Sequence, residues 1–170
     1  MELYGDLRTE ALDNTKALKD YLMGHSAISS VTMSSNLPGE RLSVENIQVE
    51  TIPEDMELPP IRYVRGDRDY IETLQLEMVE GRSFKDWTSE NPAFILNQTC
   101  LEAIQFKDPI GKMATNFRGT EAEIIGIVKD FHFASLHSKI EPLVIELNPR
   151  WSSNLIVRVA GDDIAGAYAV

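Results

Sequence analysis

The stretch Glu123-Ile124-Ile125-Gly126-Ile127-Val128 decides the fold class, because four of its six side chains are large and aliphatic. A short apolar run rich in β-branched residues predicts a strand that is buried on both faces. The same signals predict further strands on either side of it. These strands cover residues 28–34, 47–51, 61–65, 76–79, 93–96, 143–147 and 155–159.

The first clear helix covers residues 11–22, where apolar or small side chains recur at helical spacing. We expect this helix to begin at a cap formed by Thr9 or Asp13 and to end at a left-handed Gly24. Its buried face is predicted to contain Ala11, Thr15, Leu18 and Leu22.

Three shorter helices are predicted from residues that can cap a helix start. Asp67 or Asp69 precedes the first of them, and Asn97 precedes the second. Asp162 precedes the third, which contains residues 164–168 and has no C-terminal stop signal before Val170. We therefore expect the sequence to be a piece of a longer protein.

The order of the predicted elements indicates the fold class. Both ends of the chain contribute a helix and strands, whereas the middle contributes mainly short strands. This order predicts an α+β (mixed α/β) fold, in which the middle of the chain is inserted into a small helix-on-sheet unit built from both ends.

Composition excludes several functional classes. The chain has 170 residues, of which 43% are hydrophobic and 25% are charged, and its net charge is −11. Such a charge repels the phosphate backbone, so we expect no nucleic-acid partner, and it also disfavours an anionic lipid surface. No secretory signal or membrane-spanning run is visible, and one cysteine cannot form an internal disulfide. Taken alone, these features predict an acidic cytosolic domain.

The densest cluster of reactive side chains lies just after the central strand. Asp130, His132 and His137 are possible metal ligands, but their spacing fits no usual ligand motif. We therefore favour a structural loop in which Phe131 and Phe133 pack against the core, and we predict no metal site.

The remaining candidates for chemistry are weaker. Ser135 lacks a nucleophile-elbow motif, and Cys100 is more typical of a small core residue than of a nucleophile. Asp67-Arg68-Asp69 lacks the ligand series of a calcium loop. Two interpretations of Trp87 and Trp151 stay open: exposed anchors for a partner, or side chains that fill loops. We predict no catalytic residue and no cofactor.

Six motifs, in this order along the chain, resemble the periplasmic core domain of MacB-type proteins, which belong to the FtsX-like permeases of ABC transporters. The longest is residues 69–84, which begins with Asp69-Tyr70-Ile71 and ends with Gly81-Arg82-Ser83-Phe84. The other five are shorter, and the last of them is in the style of the permeases of Bacteroidetes-like bacteria. They are residues 31–39, 94–97, 108–112, 124–133 and 135–144.

The resemblance implies a specific domain organisation. Residues 1–37 and 141–170 would form a porter-like α/β unit, and residues 38–140 would form an inserted strand-rich subdomain. Gln75 and Gln105 stand where the family pattern has glycine, so we expect those two turns to differ in detail. The motif residues that would determine the fold are Gly81, Gly111, Gly126 and Asp130-Phe131-His132.

The resemblance also implies a function without catalysis. The domain would lie on the periplasmic side of the bacterial inner membrane, between the first and second transmembrane helices of a permease. A separate cytoplasmic ATPase subunit would drive it, and its movement would act on a substrate, a periplasmic adaptor or a lipoprotein (mechanotransmission). The full permease would be a dimer, and the isolated domain a monomer.

Two other functions stay open at this point. One is a stand-alone or membrane-tethered periplasmic binding or sensor domain of the same fold. The other is a metal-assisted hydrolase that uses Asp130, His132 and His137. The motifs indicate neither the transported substrate nor the surface that binds a partner.

Overall fold

The computed structural model describes residues 3–49, 58–134 and 139–161. Within these residues the helices are α1 (Leu3–Met23), α2 (Tyr70–Thr73) and α3 (Gln98–Ile104). The predicted helix of residues 164–168, and residues 50 and 51 of the predicted strand 47–51, lie outside the described residues. The strands are β1 (Ile28–Ser34), β2 (Ser43–Glu45), β3 (Ile47–Val49), β4 (Ile61–Gly66), β5 (Met78–Gly81), β6 (Ala93–Asn97), β7 (Met113–Asn116), β8 (Glu121–Val128), β9 (Leu143–Leu147) and β10 (Asn154–Val159).

These strands form one mixed sheet in the order β10-β1-β4-β9-β6-β8-β7-β3, with β2 paired to β4 and β5 paired to β8. The pairs β4–β9 and β6–β8 are parallel, and the other pairs are antiparallel. Helices and a mixed sheet in one unit confirm the predicted α+β class. None of the helices within the described residues has the length and hydropathy needed to cross a membrane.

Residues 43–49 change partners along their length and thereby close part of the sheet. The first half, β2, pairs with residues 61–63 of β4, and the second half, β3, pairs with residues 114–116 of β7. Only Asn46 separates the two halves. Because β4 and β7 bound the run β4-β9-β6-β8-β7, this segment closes those strands into a small barrel.

The barrel wall is apolar on both faces, as predicted for residues 123–128. Ile124 packs into the core inside the barrel, and its neighbour Ile125 packs into a second core on the outer face. This alternation follows from the two-residue period of a strand. The inner core includes Ile47, Tyr63, Phe94, Leu96, Ile104 and Val144. The outer core includes Tyr70, Ile71, Phe84, Trp87, Ile95 and Ile145.

Helix α1 differs from its prediction in its start, its end and its buried face. It begins at Leu3, so neither Thr9 nor Asp13 caps it, and Gly24 is not left-handed. Leu18 was predicted to be buried but is 46% exposed, whereas Lys19 beside it is turned inward. The helix is rotated because Lys19 has charged partners in the connection between β4 and α2, which a count of apolar residues does not detect.

Two glycines allow β5 to approach β8 closely. Gly81 has φ +76°, and a Cβ atom placed on it would lie 2.2 Å from the carbonyl oxygen of Ile125. A Cβ atom on Gly126 would lie 2.6 Å from the carbonyl oxygen of Arg82. Both distances are shorter than a carbon–oxygen contact, so the pairing needs glycine on both strands.

Gln75 and Gln105 keep the backbone conformation that glycine favours. Their φ angles are 54° and 50°, in the left-handed region. Gln105 stands directly after α3, where a left-handed residue commonly ends a helix. At both positions the backbone adopts the left-handed turn, although this conformation is strained for glutamine.

Candidate functional site

Asp130 ties the end of β8 to the start of α3. Its Oδ1 accepts a hydrogen bond from the backbone nitrogen of Thr99 at 3.0 Å, and its Oδ2 accepts one from the Thr99 hydroxyl at 2.7 Å. The Asp130 backbone nitrogen donates to Oε1 of Gln98 at 3.3 Å. Both carboxylate oxygens are therefore engaged in holding the helix start, which is a structural role.

The described part of the loop after Asp130 supports its interpretation as a structural element. Phe131 and Phe133 form an edge-to-face pair with ring centres 5.8 Å apart, and both pack against the outer core. Ser135 and His137 lie outside the described residues. Among the residues that the structure describes, no three His, Cys, Asp or Glu side chains are grouped to hold a metal ion.

Asn97 joins three segments at the end of β6. Its Oδ1 accepts hydrogen bonds from the backbone nitrogens of Cys100 at 2.9 Å and Leu143 at 2.8 Å. Its Nδ2 donates to the carbonyl oxygen of Glu141 at 3.0 Å. The predicted helix cap is confirmed, and the same side chain also fixes the start of β9.

Cys100 is a core residue, as the sequence indicated. It is fully buried inside the barrel, and burial raises the pKa of its thiol to about 12. A neutral, inaccessible thiol is not a nucleophile at neutral pH.

A group of charges attaches α1 to the sheet. The Lys19 ammonium lies 2.5 Å from a carboxylate oxygen of Asp67 and 2.5 Å from one of Asp69. The other Asp67 oxygen accepts a hydrogen bond from Thr32 on β1 at 2.6 Å. Burial disfavours the charged ammonium, but the hydrogen bonds to Asp67 and Asp69 outweigh it, so the pKa of Lys19 is raised. In the sequence, Asp67 and Asp69 were candidates for a helix cap or a calcium loop, and no local pattern pointed to Lys19, which lies 48 residues before Asp67.

An open cleft of about 760 Å³ lies beside this attachment. It separates the middle of α1 from three loops at the end of the sheet where β4 and β9 finish. Its lining contains both basic and acidic side chains, and it opens to solvent. The lining residues include Leu12, Lys16, Met33, Arg68, Asn91 and Arg150.

The two tryptophans differ in their exposure to solvent, which the sequence left open. Trp87 is buried in the outer core, and its indole nitrogen donates to the carbonyl oxygen of Asn91 at 3.0 Å, so it fills a loop. Trp151 is 42% exposed. The guanidinium carbon of Arg118 lies 4.2 Å from the Trp151 ring centre and 5.0 Å from the ring centre of Phe117, which is 54% exposed.

A buried charged group occupies one end of the barrel interior. Arg65 Nε lies 3.1 Å from Glu146, and a second Arg65 nitrogen lies 2.8 Å from Glu45. The other Glu146 oxygen accepts a hydrogen bond from Asn148 at 2.8 Å. All three charged side chains are more than nine-tenths buried, and the pairing offsets part of the cost of removing them from water.

Both groups of contacts join residues that are far apart in the chain, so no local sequence pattern specifies them. Lys19 interrupts the apolar face of a helix, which is a weak signal of a buried partner. Glu146 interrupts the aliphatic strand β9, where a buried carboxylate requires a cation nearby. No comparable signal links Arg118 to Trp151.

The sequence matches no protein-family model. It also shows no significant similarity to a curated protein. Solved structures do share its fold. The periplasmic region of MacB from Actinobacillus actinomycetemcomitans superposes with a TM-score of 0.59 at 18% identity, over 85% of this chain and 64% of that region.

Two further structures agree. The extracellular domain of the noncanonic ABC-type transporter YknZ from Gram-positive bacteria gives a TM-score of 0.58 at 19% identity, over 87% of this chain and 74% of that one. A domain of a putative permease protein from Porphyromonas gingivalis gives 0.52 at 14% identity, over 80% and 63%. The chain thus spans less than two thirds of the MacB region and of the Porphyromonas domain. Its fold is that of MacB-like periplasmic domains, which confirms the resemblance at the level of structure.

Proposed function

We propose that this chain is the extracytoplasmic domain of an ABC transporter permease, located on the periplasmic side of the inner membrane. The observation that carries the proposal is the shared fold, which extends over 80–87% of the chain in three transporter or permease domains. In this role the domain has no catalytic centre of its own. It couples ATP hydrolysis by a separate cytoplasmic subunit to export or extraction of a substrate.

The attachment of α1 supports a mechanical role. A helix that enters a domain moves the sheet only if contacts between the two resist sliding. Lys19 supplies such contacts, since its ammonium binds two carboxylates on the β4–α2 connection and is largely shielded from water. A displacement of α1 is thereby transferred to Asp67 and, through Thr32, to β1.

The remaining parts of the proposal concern assembly. The porter-like unit would consist of residues 1–37 and 141–170, with residues 38–140 inserted. A periplasmic adaptor or lipoprotein would contact the domain. The full permease would be dimeric, whereas the isolated domain, with its net charge of −11, would stay monomeric because copies repel one another.

The first experiment tests location, and the chain contains its own control. In a full-length protein without other cysteines, Cys100 is fully buried and should not react with a membrane-impermeant maleimide. Lys107 is exposed, so the variant Lys107→Cys should be labelled in intact spheroplasts. If Lys107→Cys reacts only after the inner membrane is lysed, the domain is cytoplasmic and the proposal is wrong.

The second experiment tests coupling in the full permease with its ATPase in nanodiscs. We expect Lys19→Met to retain ATP hydrolysis but to lose the ATP-dependent change in hydrogen exchange of the β4–α2 connection, residues 67–69. Unchanged ATP-dependent exchange in Lys19→Met would show that α1 does not transmit movement through this contact.

A parent protein with one membrane helix and a cytoplasmic catalytic domain would favour the sensor function instead.

A further inference from the structure

Two turns at one end of the sheet present an exposed group that we call the aromatic–arginine patch: Phe117, Arg118, Arg150 and Trp151. Phe117 and Arg118 lie in the turn between β7 and β8, and Arg150 and Trp151 lie in the turn after β9. The Arg118 guanidinium contacts both rings. The patch therefore joins two segments more than thirty residues apart into one surface.

Both turns are fixed before any partner binds. Asn116 is buried, and its Oδ1 accepts hydrogen bonds from the backbone nitrogens of Arg118 at 2.9 Å and Thr120 at 3.0 Å. The Trp151 backbone nitrogen donates to the carbonyl oxygen of Asn148 at 3.3 Å, and the Asn148 side chain donates to the Glu146 carboxylate. A pre-ordered surface loses little conformational entropy on binding, which favours its use as an interface.

The charge of the patch is opposite to that of the protein. The chain carries 27 acidic and 16 basic residues. Nevertheless, within the described residues no carboxylate lies at ion-pair distance from Arg118 or Arg150. Ring stacking occupies the flat face of a guanidinium but leaves the N–H groups at its rim able to bind a carboxylate.

We propose that the aromatic–arginine patch docks an acidic segment of a partner protein, in which an apolar side chain is flanked by two carboxylates. The carboxylates pair with Arg118 and Arg150, and the apolar side chain covers the exposed rings of Phe117 and Trp151. Arginine and tryptophan are the residue types that dominate binding energy at interfaces. This inference deepens the proposed function, since it defines the chemistry of the periplasmic partner.

The position of the patch links docking to movement of α1. Arg150 also lines the cleft beside α1, to which Lys16 of that helix contributes as well. A segment bound on Arg150 therefore lies where α1 approaches the sheet. An anionic membrane is the less favoured occupant, because the remaining surface carries a strong negative charge.

The test is a titration of the isotope-labelled 170-residue chain followed by NMR. The probe is an end-blocked pentapeptide, glycine–glutamate–leucine–glutamate–glycine, and its control carries glutamine at both glutamate positions. We expect the acidic peptide to shift the Trp151 indole and Arg118 amide signals, with an affinity at least tenfold higher than that of the control. The buried Trp87 indole serves as the internal reference and should not move.

Variants separate the surface from the fold. Arg118→Gln and Trp151→Ala should each weaken the acidic peptide at least tenfold, whereas Val79→Ser, at an apolar position that is 52% exposed, should not change it. Unchanged Trp87 signals show that each variant is folded.

Equal binding of the two peptides, or shifts that map elsewhere, would overturn the proposal. Shifts of the patch by phosphatidylglycerol vesicles without any by the peptide would assign it to the membrane instead. None of these outcomes alters the result of the labelling experiment, so failure here is distinguishable from failure of the proposed function.

Discussion

Replacing three glycines by alanine, one at a time, measures how much the β5–β8 contact contributes to stability. Gly81 combines a positive φ with a backbone oxygen 2.2 Å from the added Cβ. Gly126 has no positive φ, but its Cβ would meet a backbone oxygen at 2.6 Å and the flexible end of Met78 at 2.4 Å. Gly119 is the matched control, with φ +77° and no heavy atom within 4 Å of its Cβ.

The expected costs follow from these two factors. A left-handed alanine costs about 1–2 kcal/mol, which is the whole effect expected for Gly119→Ala. At Gly81 the strands must also separate, which breaks the hydrogen bond from Arg82 to Ile125 and loosens the adjoining ladder. Each lost backbone hydrogen bond adds about 1 kcal/mol. We expect about 3–5 kcal/mol for Gly81→Ala and an intermediate loss, about 2–4 kcal/mol, for Gly126→Ala.

Urea unfolding followed by tryptophan fluorescence measures these differences. The free energy of unfolding falls linearly with urea, so a shift in midpoint at constant slope reports stability alone. We expect the midpoints to fall in the order Gly119→Ala, Gly126→Ala, Gly81→Ala, with the last lowest. If Gly81→Ala costs no more than Gly119→Ala, β5 does not approach β8 as described, and the pairing of these strands is wrong.

Three further predictions concern single side chains. Gln105→Gly should raise the free energy of unfolding by about 0.5–1 kcal/mol in urea titrations, because it removes left-handed strain at an exposed position; a loss of stability would contradict the strain. The pKa values of Cys100 and Tyr70 are both raised to about 12 by burial, so both groups stay neutral in the folded state. In the unfolded chain these groups lose their protons at their usual pKa, so their effect on the free energy of unfolding should be constant below about pH 9 and destabilising between about pH 9 and 12. Tyr70→Phe should make the decrease of the free energy of unfolding with pH less steep above about pH 10. An equally steep decrease in that variant would show that the Tyr70 phenol does not contribute to it. Lys19→Met should lower the free energy of unfolding by about 2 kcal/mol. The control is Lys85, whose ammonium is exposed and lies 3.9 Å from the carboxylate of Asp69, so Lys85→Met should cost about 0.5 kcal/mol or less. Equal costs would show that the Lys19 ion pairs contribute no more than a surface contact.

Most strands, the Asn97 cap and the fold class were predictable because their signals are local. The aliphatic run at residues 123–128 and the Asn97 cap each depend on neighbours within a few positions, and both are confirmed. The resemblance to MacB-type domains rests on six motifs in order, and the fold agrees with it. The orientation of α1 was wrong because the partners of Lys19 are set by the tertiary structure.

Closure of the barrel and the aromatic–arginine patch were not predictable from local patterns. The alternation predicts a strand only for residues 47–51, and nothing in the sequence indicates that residues 43–45 form a strand with a different partner. Arg118 and Trp151 each lie in a polar turn that one sequence treats as an ordinary loop. Contacts of this kind depend on how distant strands are ordered, which single-sequence signals do not specify.

The antiparallel pair β1–β10 restricts how the domain can bear mechanical load. Ile28 pairs with Val159, and the nitrogen of Ala160 donates to the oxygen of Ala27 at 2.8 Å, so the chain enters and leaves the sheet at the same corner. A force that pulls these two ends apart acts along the interstrand hydrogen bonds and breaks them one after another, starting at the Ile28–Val159 pair. A force that moves both ends in step leaves every pair intact. In a permease, the helices on either side of the domain would therefore have to move together for the sheet to travel as one body.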